Sequence, residues 1–95
     1  GNAREGARIV LAKALRRQAH LWSRIADCYE RQKKTTVKNP DAIEALKTCL
    51  ESLRSEKTLL ADAQDAARVS ARLYRLSDLV AGVKKRLKRL QWGAG

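Results

Sequence analysis

Near the C-terminus the chain carries the segment KKRLKR, residues 84–89, in which five of the six side chains are cationic. Cations at this density attract acidic proteins and the phosphates of nucleic acids, because the potentials of neighbouring charges add. A second basic group lies at the end of the first predicted helix and consists of Arg31, Lys33, Lys34 and Lys38. We predict that the partner-binding residues are Lys33, Lys34, Lys38, Lys84, Lys85, Arg86, Lys88 and Arg89. The alternative is that both groups form only the solvated side of packed helices.

Residues suited to catalysis or metal binding are few and poorly spaced. His20 is the single histidine, and Cys28 and Cys49 do not form a CxxC pair. Metal ligation needs about four such groups at fitting spacing, and no Ser, His and Asp occur at a spacing that indicates a triad. The glycines lie mostly at the termini, so there is no phosphate-binding loop. We expect no catalytic residues, no metal ligands, no cofactor and no enzymatic activity.

The two cysteines have one geometric possibility. If the first turn is centred near residues 38–39, Cys28 and Cys49 face each other across the hairpin. In that arrangement the two cysteines can form a disulfide under oxidising conditions. Both cysteines lie on apolar faces, where a free thiol behaves as a small hydrophobic group. We therefore favour two buried thiols.

The composition is typical of long helices. The 95 residues are 44% hydrophobic and 33% charged, with no Phe, no Met and one Pro. Ala, Leu, Arg, Lys and Glu dominate, while β-branched and aromatic residues are too sparse to indicate strands. The large and regular apolar share argues against a disordered tail. We expect a single domain over 1–95, in which residues 1–4 are a tag remnant or linker.

The chain shows no targeting or membrane signal. No apolar run approaches the ~18 residues needed to span a bilayer, and no signal-peptide pattern is present. Two cysteines are too few for a disulfide scaffold. We expect an intracellular location, either cytoplasmic or nuclear.

The first predicted helix, 5–36, carries a broad apolar stripe. Its members at helical spacing are Leu11, Leu15, Trp22, Ile25 and Tyr29, with Ala14, Leu21 and Cys28 beside them. The pattern ends before Pro40, where Asn39 or Asp41 can cap a second helix over 41–60. Trp22 is expected in the core, whereas Trp92 either caps the bundle or lies exposed. The acidic residues of the second helix are expected to pair with basic neighbours on its surface.

The rest of the chain has apolar residues in steps of three and four. They are Ile43, Leu46, Leu50 and Leu53, then Ala66, Val69, Leu73, Leu76, Val80, Val83, Leu87 and Leu90. At ~100° per residue the two stripes point roughly 140° apart, which predicts a break near 57–65. Asp62 can then cap a third helix over 63–91. We predict an all-α antiparallel three-helix bundle; the alternative is a hairpin whose long second helix, 41–91, dimerises as a coiled coil.

The charge is distributed in three parts. Residues 1–40 carry +7, residues 41–65 carry −3 and residues 66–95 carry +7, which gives the net charge of +11. In an up-down-up bundle the first and third helices end at the same pole, so the two basic groups converge there. Such a pole is expected to attract an acidic partner.

These features favour a non-enzymatic helical interaction or scaffolding module that docks on an acidic protein or a microtubule. The alternative is electrostatic binding of nucleic acid with weak sequence selectivity. Membrane contact is disfavoured because the apolar residues of the last helix are expected to pack in the core. Capture of that helix by a calmodulin-like protein would require it to leave the bundle. A homodimer through the heptads of the third helix is a further expectation.

Overall fold

The computed structural model describes residues 2–32, 39–63 and 66–92. They form three α-helices: α1 (Asn2–Gln32), α2 (Pro40–Ala61) and α3 (Ala66–Gln91). α2 packs against both α1 and α3 along its length. The predicted three-helix bundle is confirmed. The long-helix alternative is excluded because α2 and α3 are separate helices that pack on each other. Positions 2–4, predicted to be a remnant or linker, belong to α1, while 33–36 lie outside the described residues.

The register between α1 and α2 is fixed by three hydrogen bonds. They join Arg8 to Leu59, Cys49 to Ala19 and Asn39 to Tyr29. As positions rise along α1 they fall along α2, so the two helices are antiparallel. The register between the two helices differs from the predicted one by several residues, so Cys49 lies opposite Ala19 and not opposite Cys28. Cys28 and Cys49 are both free, and the disulfide is absent.

The core face of α1 consists of small residues. Ala12, Ala19 and Ala26 are buried at seven-residue spacing, whereas Leu11 and Leu21 are 51% and 56% exposed. The Cys49 thiol donates to the carbonyl oxygen of Ala19 over 3.2 Å, which shows how closely α2 approaches the α1 backbone. A methyl side chain permits this approach, and a leucine in its place would not. The prediction was therefore wrong for Leu11 and Leu21, which lie on one side of the predicted stripe and are exposed.

Two tryptophans were predicted to differ in environment. Trp22 is half-buried and packs against both hydrophobic clusters of the core, as expected. Trp92 is 79% exposed, so of the two alternatives the exposed one holds.

Asn39 ties the end of α1 to the start of α2. Its side-chain oxygen accepts from the Ala42 N–H over 3.2 Å, and its side-chain nitrogen donates to the Tyr29 carbonyl over 2.8 Å. One buried amide thus satisfies an unpaired donor of α2 and an unpaired acceptor of α1. Pro40 occupies the first helical position, where its missing N–H costs nothing. Of the two predicted caps, the structure selects Asn39.

Replacing Asn39 by Ala is expected to lower the free energy of unfolding by about 1–3 kcal/mol, because a helix cap is lost and the Tyr29 carbonyl loses its partner. Replacing the exposed Asp41 by Ala removes only a favourable charge near the helix start, which contributes about 0.3–1 kcal/mol. Urea unfolding followed by circular dichroism measures both. Equal losses in the two variants would contradict the capping role of Asn39.

The turn between α2 and α3 differs from the prediction in detail. α2 continues to Ala61, so Asp62 lies at its C-terminal end and is not the N-cap of α3. The Ala63 N–H donates to the Leu60 carbonyl over 3.0 Å and closes the last turn. The burial of Leu60 explains the extension, since its side chain holds this turn against the core. α3 begins at Ala66, three residues later than predicted.

The heptad pattern of α3 faces the core as predicted. Leu76 is fully buried and Leu87 is nearly so. The partly buried residues Val69, Leu73, Val80, Val83 and Leu90 pack around these two leucines. The apolar stripe of α3 is therefore used within the bundle, and the exposed surface of this helix carries its charged residues together with Tyr74.

A buried ion pair joins α2 to α3. Glu56 is 2% exposed, and its two carboxylate oxygens accept from Nε and Nη2 of Arg72 over 2.7 and 2.9 Å. The prediction that the acidic residues of the second helix form only surface pairs was wrong for Glu56. The geometry is bidentate, which is the strongest form of an arginine–carboxylate contact.

Candidate basic interface

Four of the five cations in the segment 84–89 are exposed at the end of α3. They are Lys84, Lys85, Lys88 and Arg89, and we call them the end cluster. Leu87, in the same segment, is buried in the core, and Leu90 packs beside it. The predicted division between apolar residues facing inward and cations facing outward is confirmed here. Lys88 and Arg89 also lie in the last turn, where cations interact favourably with the helix dipole.

Arg86 differs from its neighbours because it is held by two carboxylates of α1. Its guanidinium donates to Asp27 and to Glu30, with 3.0 Å between Nε and Glu30 Oε2. Burial alone would lower the pKa of Arg86, but the hydrogen bonds and charges of Glu30 and Asp27 outweigh burial and raise it. Arg86 therefore links α1 to α3. Its placement among the partner-binding cations stays a prediction, and any contact with a partner would compete with these two carboxylates.

The sequence contains a signal for this link that the pattern analysis missed. Asp27 and Glu30 are three residues apart, so they lie on the same side of α1. They are the last two acidic residues before the turn. Arg86 is one residue from the core position Leu87, at the edge of the buried face. An acidic pair on one helix and an edge arginine on its neighbour indicate an interhelical ion pair.

The contacts of Arg86 also show that the ends of α1 and α3 lie at the same pole. The C-terminal turn of α1 contains Glu30, and Arg86 is in the last two turns of α3. The convergence of the helix ends that was predicted is therefore present. Lys33, Lys34 and Lys38 lie outside the described residues, so their part in that pole stays a prediction.

The three helices carry very different charges. α3 has eight Lys or Arg residues and one Asp, and α1 has seven basic and three acidic residues. α2 has three basic and four acidic residues. Because α1 and α3 lie side by side on α2, the basic charge is concentrated on the side of the bundle away from the outer surface of α2. The basic charge is therefore distributed unevenly in two directions, across the bundle and toward the pole at which α1 and α3 end.

The two cysteines differ in their surroundings. Burial raises the pKa of the Cys49 thiol, and the charge of Arg86 offsets this only in part, so Cys49 is a poor nucleophile at neutral pH. Cys28 is exposed, contrary to the prediction of two buried thiols. Within 2–32, 39–63 and 66–92 there is no group of three His, Cys, Asp or Glu residues that could hold a metal ion.

No helix in the described part of the chain combines the length and apolar character needed to cross a bilayer. Comparison of the chain with protein-family models, with curated proteins and with solved structures found no match.

Proposed function

We propose that the chain is a non-enzymatic helical interaction module that docks on an acidic protein surface, of which the microtubule is an example. The observation that carries this proposal is the contrast within the segment 84–89. Arg86 is paired with two carboxylates, while among the described residues the end cluster has no carboxylate within salt-bridge distance. Exposed cations that repel one another contribute little to the stability of a bundle. Their clustering is better explained by an acidic partner.

Exposed aromatic residues favour a protein partner over nucleic acid. Tyr74 of α3 and Trp92, the residue that follows α3, are 78% and 79% exposed, and the Trp92 N–H donates to the Lys88 carbonyl, so Trp92 continues the path of the helix. They are separated by five helical turns, or about 27 Å along the axis, so they lie on the same side of the helix. That distance is too large for stacking successive bases of a single strand. Tyr, Trp and Arg on one surface are instead the residues that dominate protein interfaces.

The test is a charge reversal with a matched control. The variant Lys85→Glu, Lys88→Glu, Arg89→Glu changes three exposed cations of the end cluster. The control Lys47→Glu, Arg54→Glu, Lys57→Glu changes the same residue types, also exposed, on α2. Both variants carry the same net charge, so a difference between them reports the position of the charges.

We expect the end-cluster variant to lose at least about tenfold in affinity for microtubules, whereas the control loses much less. The helical circular dichroism signal of both variants should match that of the parent, because exposed charges contribute little to folding. Binding is measured by co-sedimentation at two salt concentrations, and higher salt should weaken binding by the parent. Equal losses in the two variants would contradict a localised surface. Binding of duplex DNA or RNA, measured by anisotropy, without binding of microtubules would favour the nucleic-acid alternative.

A further inference from the structure

α1 and α3 both pack on α2 but leave an open groove between them. Its volume is about 770 Å³. The half-buried side chains Leu79 and Val83 of α3 form its apolar wall, and the buried residues Ala19, Cys49 and Leu53 lie at its base. Toward the C-terminal pole, the contacts of Arg86 with Asp27 and Glu30 join the two helices. The groove is therefore an apolar channel that is open to solvent on one side and bridged at one end.

Unpaired cations line both edges of this groove. Lys13, Arg16 and Arg17 lie on the α1 edge, and Arg75 lies on the α3 edge. None of these four has an ion-pair partner among the described residues, whereas Arg72, which also lines the groove, is bound to Glu56. Arg86 lies opposite Asp27 and Glu30, so Arg75, three turns earlier, lies opposite residues 16–19 of α1. Like charges therefore face each other across an apolar channel.

We propose that this groove binds an acidic amphipathic helix of a partner protein. The apolar side of that helix would pack on Leu79 and Val83, and its carboxylates would reach Arg16, Arg17 and Arg75. This inference rests on the proposed function, since it specifies the kind of acidic protein, but it uses a surface separate from the end cluster. Helix-in-groove binding of this type uses apolar contacts for affinity and flanking charges for orientation.

The distribution of charge selects a helix over a lipid. A fatty acid or lipid has one anionic group, and it would need cations at only one end of an enclosed apolar cavity. Here the cations extend along α1 from Lys13 to Arg17 and recur on the opposite edge. The channel also runs along two parallel helices, and the α1 residues that line it extend from Lys13 to Ser23, about 15 Å or three turns. A helix with acidic residues on both sides of an apolar stripe matches this arrangement.

The probe is a fluorescent peptide of about 15 residues, long enough for four helical turns, with leucines along one side and glutamates flanking them. A scrambled peptide of the same composition, with no continuous apolar side, is its control. The groove variant is Arg16→Glu, Arg75→Glu, and the matched control variant is Arg24→Glu, Arg54→Glu, two exposed arginines that lie outside both the groove lining and the end cluster. Anisotropy measures affinity, and methyl NMR signals of Leu79 and Val83 report where the peptide binds.

We expect the amphipathic peptide to bind at least about tenfold more tightly than the scrambled one. It should shift the Leu79 and Val83 methyl signals, and the groove variant should lose at least about tenfold in affinity relative to the control variant. Equal binding of both peptides, or shifts confined to residues near the end cluster, would overturn the groove proposal and leave the proposed function standing. Shifts caused by vesicles of anionic lipid but not by the peptide would also overturn it. If the parent protein binds the peptide but does not bind microtubules, the proposed docking on microtubules fails while the groove proposal stands.

Discussion

Replacing Arg72 by Ala is expected to lower the free energy of unfolding by about 3–5 kcal/mol, because Glu56 is left as a buried carboxylate without its counter-charge. Glu56 is 2% exposed, and Arg72 supplies both of its interhelical hydrogen bonds. Urea unfolding monitored by circular dichroism measures the effect. Arg75→Ala is the control, since Arg75 is exposed on the same helix and its loss should change stability by less than about 0.5 kcal/mol.

A double replacement separates the cost of an unpaired charge from the value of the pair. Glu56→Leu combined with Arg72→Leu removes both charges and replaces them with apolar bulk. Such a change is expected to leave stability within about 1–2 kcal/mol of the parent, because burying the pair carries a large desolvation cost. A double variant as unstable as Arg72→Ala would mean that packing, and not the unpaired carboxylate, causes the loss. A loss below about 1 kcal/mol in Arg72→Ala would mean that Glu56 finds another partner.

Replacing Leu76 by Ala is expected to lower the free energy of unfolding by about 3–5 kcal/mol, through lost apolar burial and the cavity that remains. Leu76 is 0% exposed and belongs to the main hydrophobic cluster. Leu73→Ala should cost less, since Leu73 is only half-buried. The sequence predicted both leucines in the apolar stripe of the third helix, so this pair of variants measures how unequally the bundle buries them.

The control for Leu76 is Tyr74, which is on the same helix and 78% exposed. Tyr74→Ala should change stability by less than about 0.5 kcal/mol, because little apolar surface returns to water. Differential scanning calorimetry gives an independent measure, and the melting temperature of Leu76→Ala should fall by more than about 10 °C in a domain of this size. A Tyr74 effect as large as that of Leu76 would show that α3 is rotated relative to the structure described above.

The number of helices and their order followed from the sequence because local signals agree there. Asn39 and Pro40 mark one break, and the change of phase between the stripes of Leu50 and Val69 marks the other. The face that α1 presents to α2 could not be deduced in this way. Alanine carries little periodic signal beside leucine, and only the close approach of α2 makes Ala19 more buried than Leu21.

The candidate site was predictable only where the signal lies within a single helix. The exposed position of Lys85 and Lys88 follows from their distance from the core positions Val83 and Leu87 on the helix. The pairing of Arg86 with α1 and the burial of Glu56 depend on contacts between helices that are distant in the sequence. The groove depends on the position of α3 relative to α1, and no pattern within either helix specifies it.

The alanines of α1 have a consequence for how the bundle comes apart. They allow α1 and α2 to form a close, largely uncharged contact, supported by the Asn39 hydrogen bonds. α3 is attached by leucine side chains and by two arginine-centred ion pairs, one to each of the other helices. We therefore expect the hairpin α1–α2 to have the higher local free energy of opening and α3 to detach first, which amide hydrogen exchange can measure. Ionic strength screens the repulsion between the exposed cations of α1 and α3 more than it weakens the buried ion pairs, so added salt is expected to raise the cost of releasing α3.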